Sequence, residues 1–212
     1  MEIKKFTFNS FQENTYVISS NKQCMIIDPG CNNPEERRVL SNYITKNNLH
    51  PIELINTHCH LDHIFGNKYI AQEYRLKPKM HIKDLPLLEK SSEIANLYNV
   101  KFDEPPYEVD FIKENDYINV GDTSWKIIFT PGHSPGHIAL LNAADKTIVV
   151  GDVLFHLGIG RTDLPGCNHN DLISSIKNKL FCLDDDIEVL SGHGNNTFIG
   201  FEKQNNPFFQ SQ

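Results

Sequence analysis

Long apolar runs are missing from this 212-residue chain, and none is long enough to cross a bilayer. The N-terminal stretch MEIKKFTFNSFQENTYVI has no apolar segment after its lysines, which argues against a secretory signal. Positive charge is scarce. Twenty Lys and Arg face 27 Asp and Glu, a net charge of −7, so there is no basic stripe for a nucleic-acid surface and no attraction to an anionic membrane. The five cysteines are odd in number and form no C-x-x-C pair, which argues against a disulfide framework and fits a reducing compartment. Repeats, low-complexity segments and an evident linker are absent as well. The expectation is a cytoplasmic protein of one domain, residues 1–212, with no nucleic-acid or membrane partner. Its oligomeric state is not legible from the sequence.

Strand and helix patterns alternate along the chain. IKKFTF, TYVIS and CMIID read as strands, the last ending at the turn signal Asp28-Pro29-Gly30. PEERRVLSNYITKNN reads as a helix, with Pro34 in the first turn and Val39, Leu40, Tyr43 and Ile44 at helical spacing. IELINT reads as a buried strand, GNKYIAQEYRL as a helix and KMHI as a short strand. Residues 83–99 predict one helix whose broad apolar face carries Leu85, Leu87, Leu88, Ile94, Leu97 and Tyr98. PPYEVDFIKEND reads as irregular. WKIIFT, IALLNA and TIVVGD are strands, HNDLISSIKNKLF is a helix and IEVLSG a final strand. This pattern predicts a layered α/β domain.

The densest chemistry lies in THCHLDH, residues 57–63. His58 and His60 follow a strand, where alternate side chains point the same way and can converge on one point. Asp62 and His63 follow the turn into a helix and would serve a second point. More ligand types stand in matching places: His133 after WKIIFT, Asp152 after TIVV and His193 after IEVL, each preceded by Gly. Imidazole plus carboxylate, without thiolate, suits zinc, iron or manganese. His50, His81 and His169 read as surface or hydrogen-bonded groups. His137 supports the site or packs near it, and His156 lines the cleft. Cys59 points away from the ligands by strand alternation and is structural. No separate Ser-His-Asp or Cys-His set is present.

THCHLDH matches the H-x-H-x-D-H signature of the metallo-β-lactamase superfamily. TPGHSPGH, GDVLFHLGIGRTD and SGHG resemble its glyoxalase II branch, in the same order and over essentially the whole chain. The resemblance implies an α/β fold, a four-layer αββα sandwich with two metal ions, zinc before iron or manganese. It implies one metal on His58, His60 and His133, the other on Asp62, His63 and His193, and Asp152 as the bridge. The chain stops soon after SGHGNNTFIGFEKQNNPFF, where glyoxalase II enzymes carry a further helical domain, so it is similar to the short bacterial form of that hydrolase. EKQNNPF resembles the end of the glutathione-contacting region, which makes Lys203 a candidate for a substrate carboxylate. Arg161, with Asp163, belongs to the shared GIGRTD segment and is expected to hold a loop beside the site. Arg161 and His156 complete the candidate substrate contacts.

The implied reaction is hydrolysis of a small-molecule thioester, S-lactoylglutathione or a related acyl thioester, by a metal-bound hydroxide. Asp62 and Asp152 would act as catalytic residues as well as ligands, Asp62 by orienting the nucleophile. A thiol of pKa about 8.5 leaves as thiolate without much help. The alternative within the fold is a mononuclear-iron persulfide dioxygenase acting on glutathione persulfide, whose sequences carry similar THCHADH and GCGRTD segments. A flavodiiron protein would need a flavin domain, a nuclease more positive charge, and a β-lactam hydrolase an export signal. A non-catalytic scaffold would be expected to have lost ligands, and every one is present.

Overall fold

The structure, a computed structural model, describes residues 1–210. Its contacts divide the chain into two compact units, Met1–Ile112 with Asn119–Ser124, and Lys113–Ile118 with Trp125–Gln212.

The first unit opens with an antiparallel meander of β1 (Glu2–Phe8), β2 (Glu13–Ser20) and β3 (Gln23–Ile27). Helix α1 (Pro34–Lys46) follows, then β4 (His50–Ile55), α2 (Leu61–Ile64), α3 (Asn67–Tyr74) and β5 (Pro78–Met80). A 3-10 turn (Ile82–Asp84), α4 (Leu85–Glu89), α5 (Ser91–Leu97) and β6 (Asp110–Phe111) complete it. The sheet order is β1-β2-β3-β4-β5-β6, and the pairings from β3 to β6 are parallel. Helix α1 starts where the Asn33 side chain accepts from the Glu36 amide, with Pro34 in its first turn. Its buried face, Leu40 and Ile44, packs with Val17, Ile26, Leu54 and Ile70. Burying each such side chain contributes about 1.5–3 kcal/mol.

Residues 83–99 do not form the single helix that their spacing predicts. Pro86 lies in the first turn of α4, the helix ends at Lys90, and α5 starts anew at Ser91. Leu88 and Ala95 are buried, whereas Leu97 is 83% exposed and Tyr98 55%. Leu85, Leu87 and Ile94 are partly buried and pack against the apolar clusters, so of the predicted face only Leu97 and Tyr98 are left outside. The stretch read as irregular also contributes β6 at the sheet edge.

In the second half of the chain come the hairpin strands β7 (Tyr117–Val120) and β8 (Thr123–Phe129), then β9 (Ile138–Asn142) and β10 (Thr147–Gly151). A small hairpin of β11 (Leu154–Phe155) and β12 (Gly158–Ile159) follows. Helix α6 (His169–Ser175) runs on into a π-helical turn (Ile176–Leu180). Strand β13 (Glu188–Ser191), β14 (Thr197–Phe198) and α7 (Ile199–Asn205) end the unit. The sheet order is β14-β13-β10-β9-β8-β7; β13 runs parallel to β10, and the β14–β13, β10–β9 and β9–β8 pairings are antiparallel. Strands β9 and β10 are buried at every position, which is why TIVV shows no alternation. The core joins Ile148, Val150 and Val189 from the sheet to Leu172, Ile176 and Leu180 from the helix beside it. No helix among the described residues is long and apolar enough to cross a membrane.

Candidate metal centre

In the first unit, β4 ends at Ile55, the chain bends at Thr57, and His60, with φ −68° and ψ 152°, caps α2. His58 and His60 lie between β4 and α2, His60 on extended backbone, and Asp62 and His63 lie in the single turn of α2. The rings of His58 and His63 lie 4.1 Å apart, those of His58 and His60 4.7 Å apart. Asp28, His58 and His63 offer ligand-type atoms within 4.8 Å of one another.

Asp28 organises this half. Its Oδ1 accepts from the Thr57 amide at 2.7 Å, and its Oδ2 accepts from the Thr57 hydroxyl at 2.5 Å and lies 3.0 Å from His63 Nδ1. A carboxylate only accepts, so His63 carries its proton on Nδ1. The Thr57 hydroxyl has one proton and gives it to Asp28. His58 Nδ1, 3.1 Å from Thr57 Oγ1, must then be the donor there. Both rings are left with the Nε2 lone pair, the arrangement of histidines that bind metal through Nε2. Asp28 holds a left-handed backbone, φ +49°, where the sequence showed only a turn.

Further buried groups fix the segment. Asp84 accepts from the Cys59 amide at 2.9 Å, and the Cys59 sulfur turns away to Met80, 3.5 Å distant. Burial, with the charges of Asp84 and Asp28, pushes the Cys59 thiol well above its ordinary pKa, so it stays neutral. The Asn9 amide donates to the carbonyls of Gly30 and Asp62 at 3.0 and 3.3 Å. Asn56 donates to the His63 carbonyl at 3.1 Å and pairs with Asn67. Glu13 is wholly buried. Burial raises its pKa well above the carboxylate range.

In the second unit, His133 lies beyond the end of β8, Asp152 beyond β10 and His193 beyond β13. His133 Nδ1 donates to the Arg161 carbonyl at 2.9 Å, which again leaves Nε2 as the lone-pair nitrogen. Asp152 Oδ2 lies 3.6 Å from His133 Nε2 and 3.4 Å from His193 Nε2. His137 supports the carboxylate from behind. Its Nε2 accepts from the Asp152 amide at 3.1 Å, and its Nδ1 donates to Thr130 Oγ1 at 3.0 Å. Of the glycines that precede the three ligand types, Gly132 and Gly151 take positive φ, +139° and +49°. At the third position the left-handed residue is instead Gly194, after His193. At Gly160 a Cβ would strike the Asp152 carbonyl and the His133 ring, so only glycine allows this approach.

These spacings fit a cation. His63 Nε2 lies 3.7 Å from Asp62 Oδ2, and the two imidazoles of the second unit stand at comparable distances from Asp152. All exceed an ordinary hydrogen bond of about 2.7–3.2 Å. Two ligands bound at about 2.0–2.1 Å in a tetrahedral shell stand about 3.4 Å apart. The donor set is imidazole nitrogen and carboxylate oxygen, which divalent zinc, iron and manganese all accept.

Residues 9–194 match the family model described as the metallo-beta-lactamase superfamily. The chain belongs to the metallo-β-lactamase superfamily. It has that superfamily's α/β fold, sheets flanked by helices, and its His/Asp metal site. It is 36% identical to the hydroxyacylglutathione hydrolase GloC of Haemophilus influenzae, an alignment covering all of both chains. The crystal structure of the BLEG-1 B3 metallo-β-lactamase superposes with a TM-score of 0.89 at 30% identity, over 99% of this chain and 100% of that one. A di-iron-bound form of TTHA1623 superposes at 0.87 with 31% identity, over 97% and 99%.

The three remaining candidates lie as follows. The Arg161 guanidinium makes a two-point pair with Asp163 at 2.7 and 2.8 Å, while its carbonyl holds His133. The Lys203 ammonium donates to the Leu183 carbonyl at 2.8 Å and to Asp185 at 2.6 Å. His156 stacks on Phe201 with ring centroids 5.0 Å apart, its Nδ1 3.6 Å from Glu202. Sequence reasoning missed Asp28, Asp84, Asn9 and Glu202. Each is a polar residue whose partner lies far away in sequence, and Asp28 was hidden inside a Pro-Gly turn signal.

Proposed function

We propose that this protein is a metal-dependent hydrolase of thioesters, with S-lactoylglutathione or a related acyl thioester as substrate, working in the cytoplasm as one domain. The observation that carries the reading is the 36% identity, over the full length of both chains, to a hydroxyacylglutathione hydrolase. The proposed ligands are His58, His60 and His133 for one ion and Asp62, His63 and His193 for the other, with Asp152 shared. Two zinc ions are proposed. The likeness to a protein solved with two irons gives iron equal standing in the assay below.

Divalent ions bound there would supply an activated water at neutral pH and positive charge for the oxyanion that develops on the thioester carbonyl. The chain's own residues do the rest. Asp28 and Thr57 hold His63 and His58 with Nε2 free of protons, and the Arg161 carbonyl does the same for His133. His137 fixes the backbone from which the Asp152 carboxylate projects. Asp62, on the first turn of α2, is proposed to orient the attacking water through its carboxylate. The leaving thiolate, of pKa about 8.5, needs no acid, and no acid is assigned. Five cysteines without a disulfide agree with the cytoplasm.

The test is hydrolysis of S-lactoylglutathione by purified protein of known metal content, beside Asp152→Ala. Turnover lost in the variant supports the reading. Two bound metals without turnover reject this substrate. One iron, with oxygen uptake on glutathione persulfide, replaces hydrolysis by dioxygenation.

A further inference from the structure

Glu202 and Asn206 tie the C-terminal segment EKQNNPF into the second unit. Glu202 on α7 is wholly buried, and its carboxylate accepts from three donors. The Leu157 amide reaches both of its oxygens, at 3.2 and 3.1 Å. The Thr197 hydroxyl donates at 2.5 Å and the Asn206 amide at 2.8 Å. His156 Nδ1 stands 3.6 Å away. Asn206 also donates to the Gly158 carbonyl at 3.1 Å. Glu202 and Asn206 thus grip both sides of the two-residue turn between β11 and β12.

The turn requires a grip. Leu157 holds a left-handed backbone, φ +57°, which a side chain of that size disfavours. Leu157 is also 43% exposed, so packing does not hold it there. What the turn carries explains why it must be held. Phe155, just before it, packs its ring 6.2 Å from that of His193. Two residues beyond Gly158, Gly160 lies against the Asp152 carbonyl and the His133 ring. Next comes Arg161, whose carbonyl accepts from His133 Nδ1.

We propose that Glu202 and Asn206 are positioning residues, a carboxylate–amide clamp that sets the β11–β12 hairpin and, through Phe155, Gly160 and the Arg161 carbonyl, the orientation of His193, Asp152 and His133 for metal binding. The inference rests on the metal-ligand reading above. The clamp touches neither metal nor substrate.

Zinc affinity by chelator competition tests it, on Glu202→Ala, Glu202→Gln, Asn206→Ala and a core control, Leu180→Ala, all compared with the parent protein. Loss of an outer partner costs metal affinity about 10–100-fold. Glu202→Ala and Asn206→Ala are expected to fall in that range. Glu202→Gln should recover most of the loss, because its amide oxygen still accepts from Leu157 and its amide nitrogen can donate to Thr197. Leu180→Ala should lose thermal stability and keep its affinity. In metal-free protein, hydrogen exchange at Leu157 and Gly160 should speed up in Glu202→Ala and not in Leu180→Ala. Unchanged zinc affinity in the clamp variants, or a loss matched by Leu180→Ala, overturns the clamp and leaves the metal reading standing. A parent protein that binds no zinc, iron or manganese overturns both. Equal exchange at Leu157 in parent and Glu202→Ala overturns the clamp alone.

Discussion

Asp28 Oδ2 lies 3.0 Å from His63 Nδ1, and both side chains are buried. The same carboxylate takes the amide and hydroxyl of Thr57, which in turn receives His58 Nδ1. One aspartate therefore governs the tautomer of two proposed ligands. Asp28→Asn keeps the shape but puts a donor where Thr57 and His63 also donate. Metal affinity should fall about 10–100-fold. The misplaced donor should also cost about 1–3 kcal/mol of stability. Chelator competition and thermal melts read the two effects separately.

His137 supports Asp152 without being a proposed ligand. In His137→Ala the Asp152 amide loses its acceptor and the carboxylate loses its fixed origin. Metal affinity and kcat should both drop by about tenfold or more, as for other outer partners of metal ligands. Thr130→Val should be milder, because it removes only the acceptor that fixes the His137 proton. Equal losses in the two variants would show that the Asp152 amide contact is not what matters.

Metal removal should abolish turnover and lower the melting temperature together. A ligand at 100 times its Kd stabilises the folded state by about 2.7 kcal/mol. At about 2–4 °C per kcal/mol for a chain of this size, the shift is about 5–10 °C. Adding back zinc, iron or manganese one at a time, with melting and turnover read in parallel, identifies the ion that restores both.

Alkaline stability follows from two cysteines. Burial pushes the Cys24 and Cys31 thiols up to about 12. An unfolded thiol ionises near about 8.5, so between there and 12 the unfolded chain binds fewer protons than the folded one. Stability is therefore fully present below that unfolded pKa and declines as pH rises toward 12, by up to about 1.4 kcal/mol per pH unit for each thiol. The slope of stability against pH above 9 should flatten in Cys24→Ala and Cys31→Ala, whatever their cavity cost at neutral pH. An unchanged slope would remove these thiols as the cause.

Patterning alone determined much of this protein. The apolar periods marked most strands and helices, since a half-buried strand and a one-faced helix must repeat every two or 3.6 residues. The THCHLDH segment showed its chemistry because its ligand types are adjacent in sequence and change direction where strand becomes helix. His133, Asp152 and His193 were legible because each follows a strand end. Tertiary structure decided the rest. Asp28 holds His63 across 35 positions and Asp84 holds Cys59 across 25, and Glu202 reaches Leu157 across 45. Residues 83–99 broke into two helices because what each turn could bury depended on neighbours from elsewhere in the chain. Local spacing records which side chains share a face. Which distant donor meets which buried carboxylate is set only when the elements pack, because a hydrogen bond depends on ångström-scale placement that no short stretch of sequence contains.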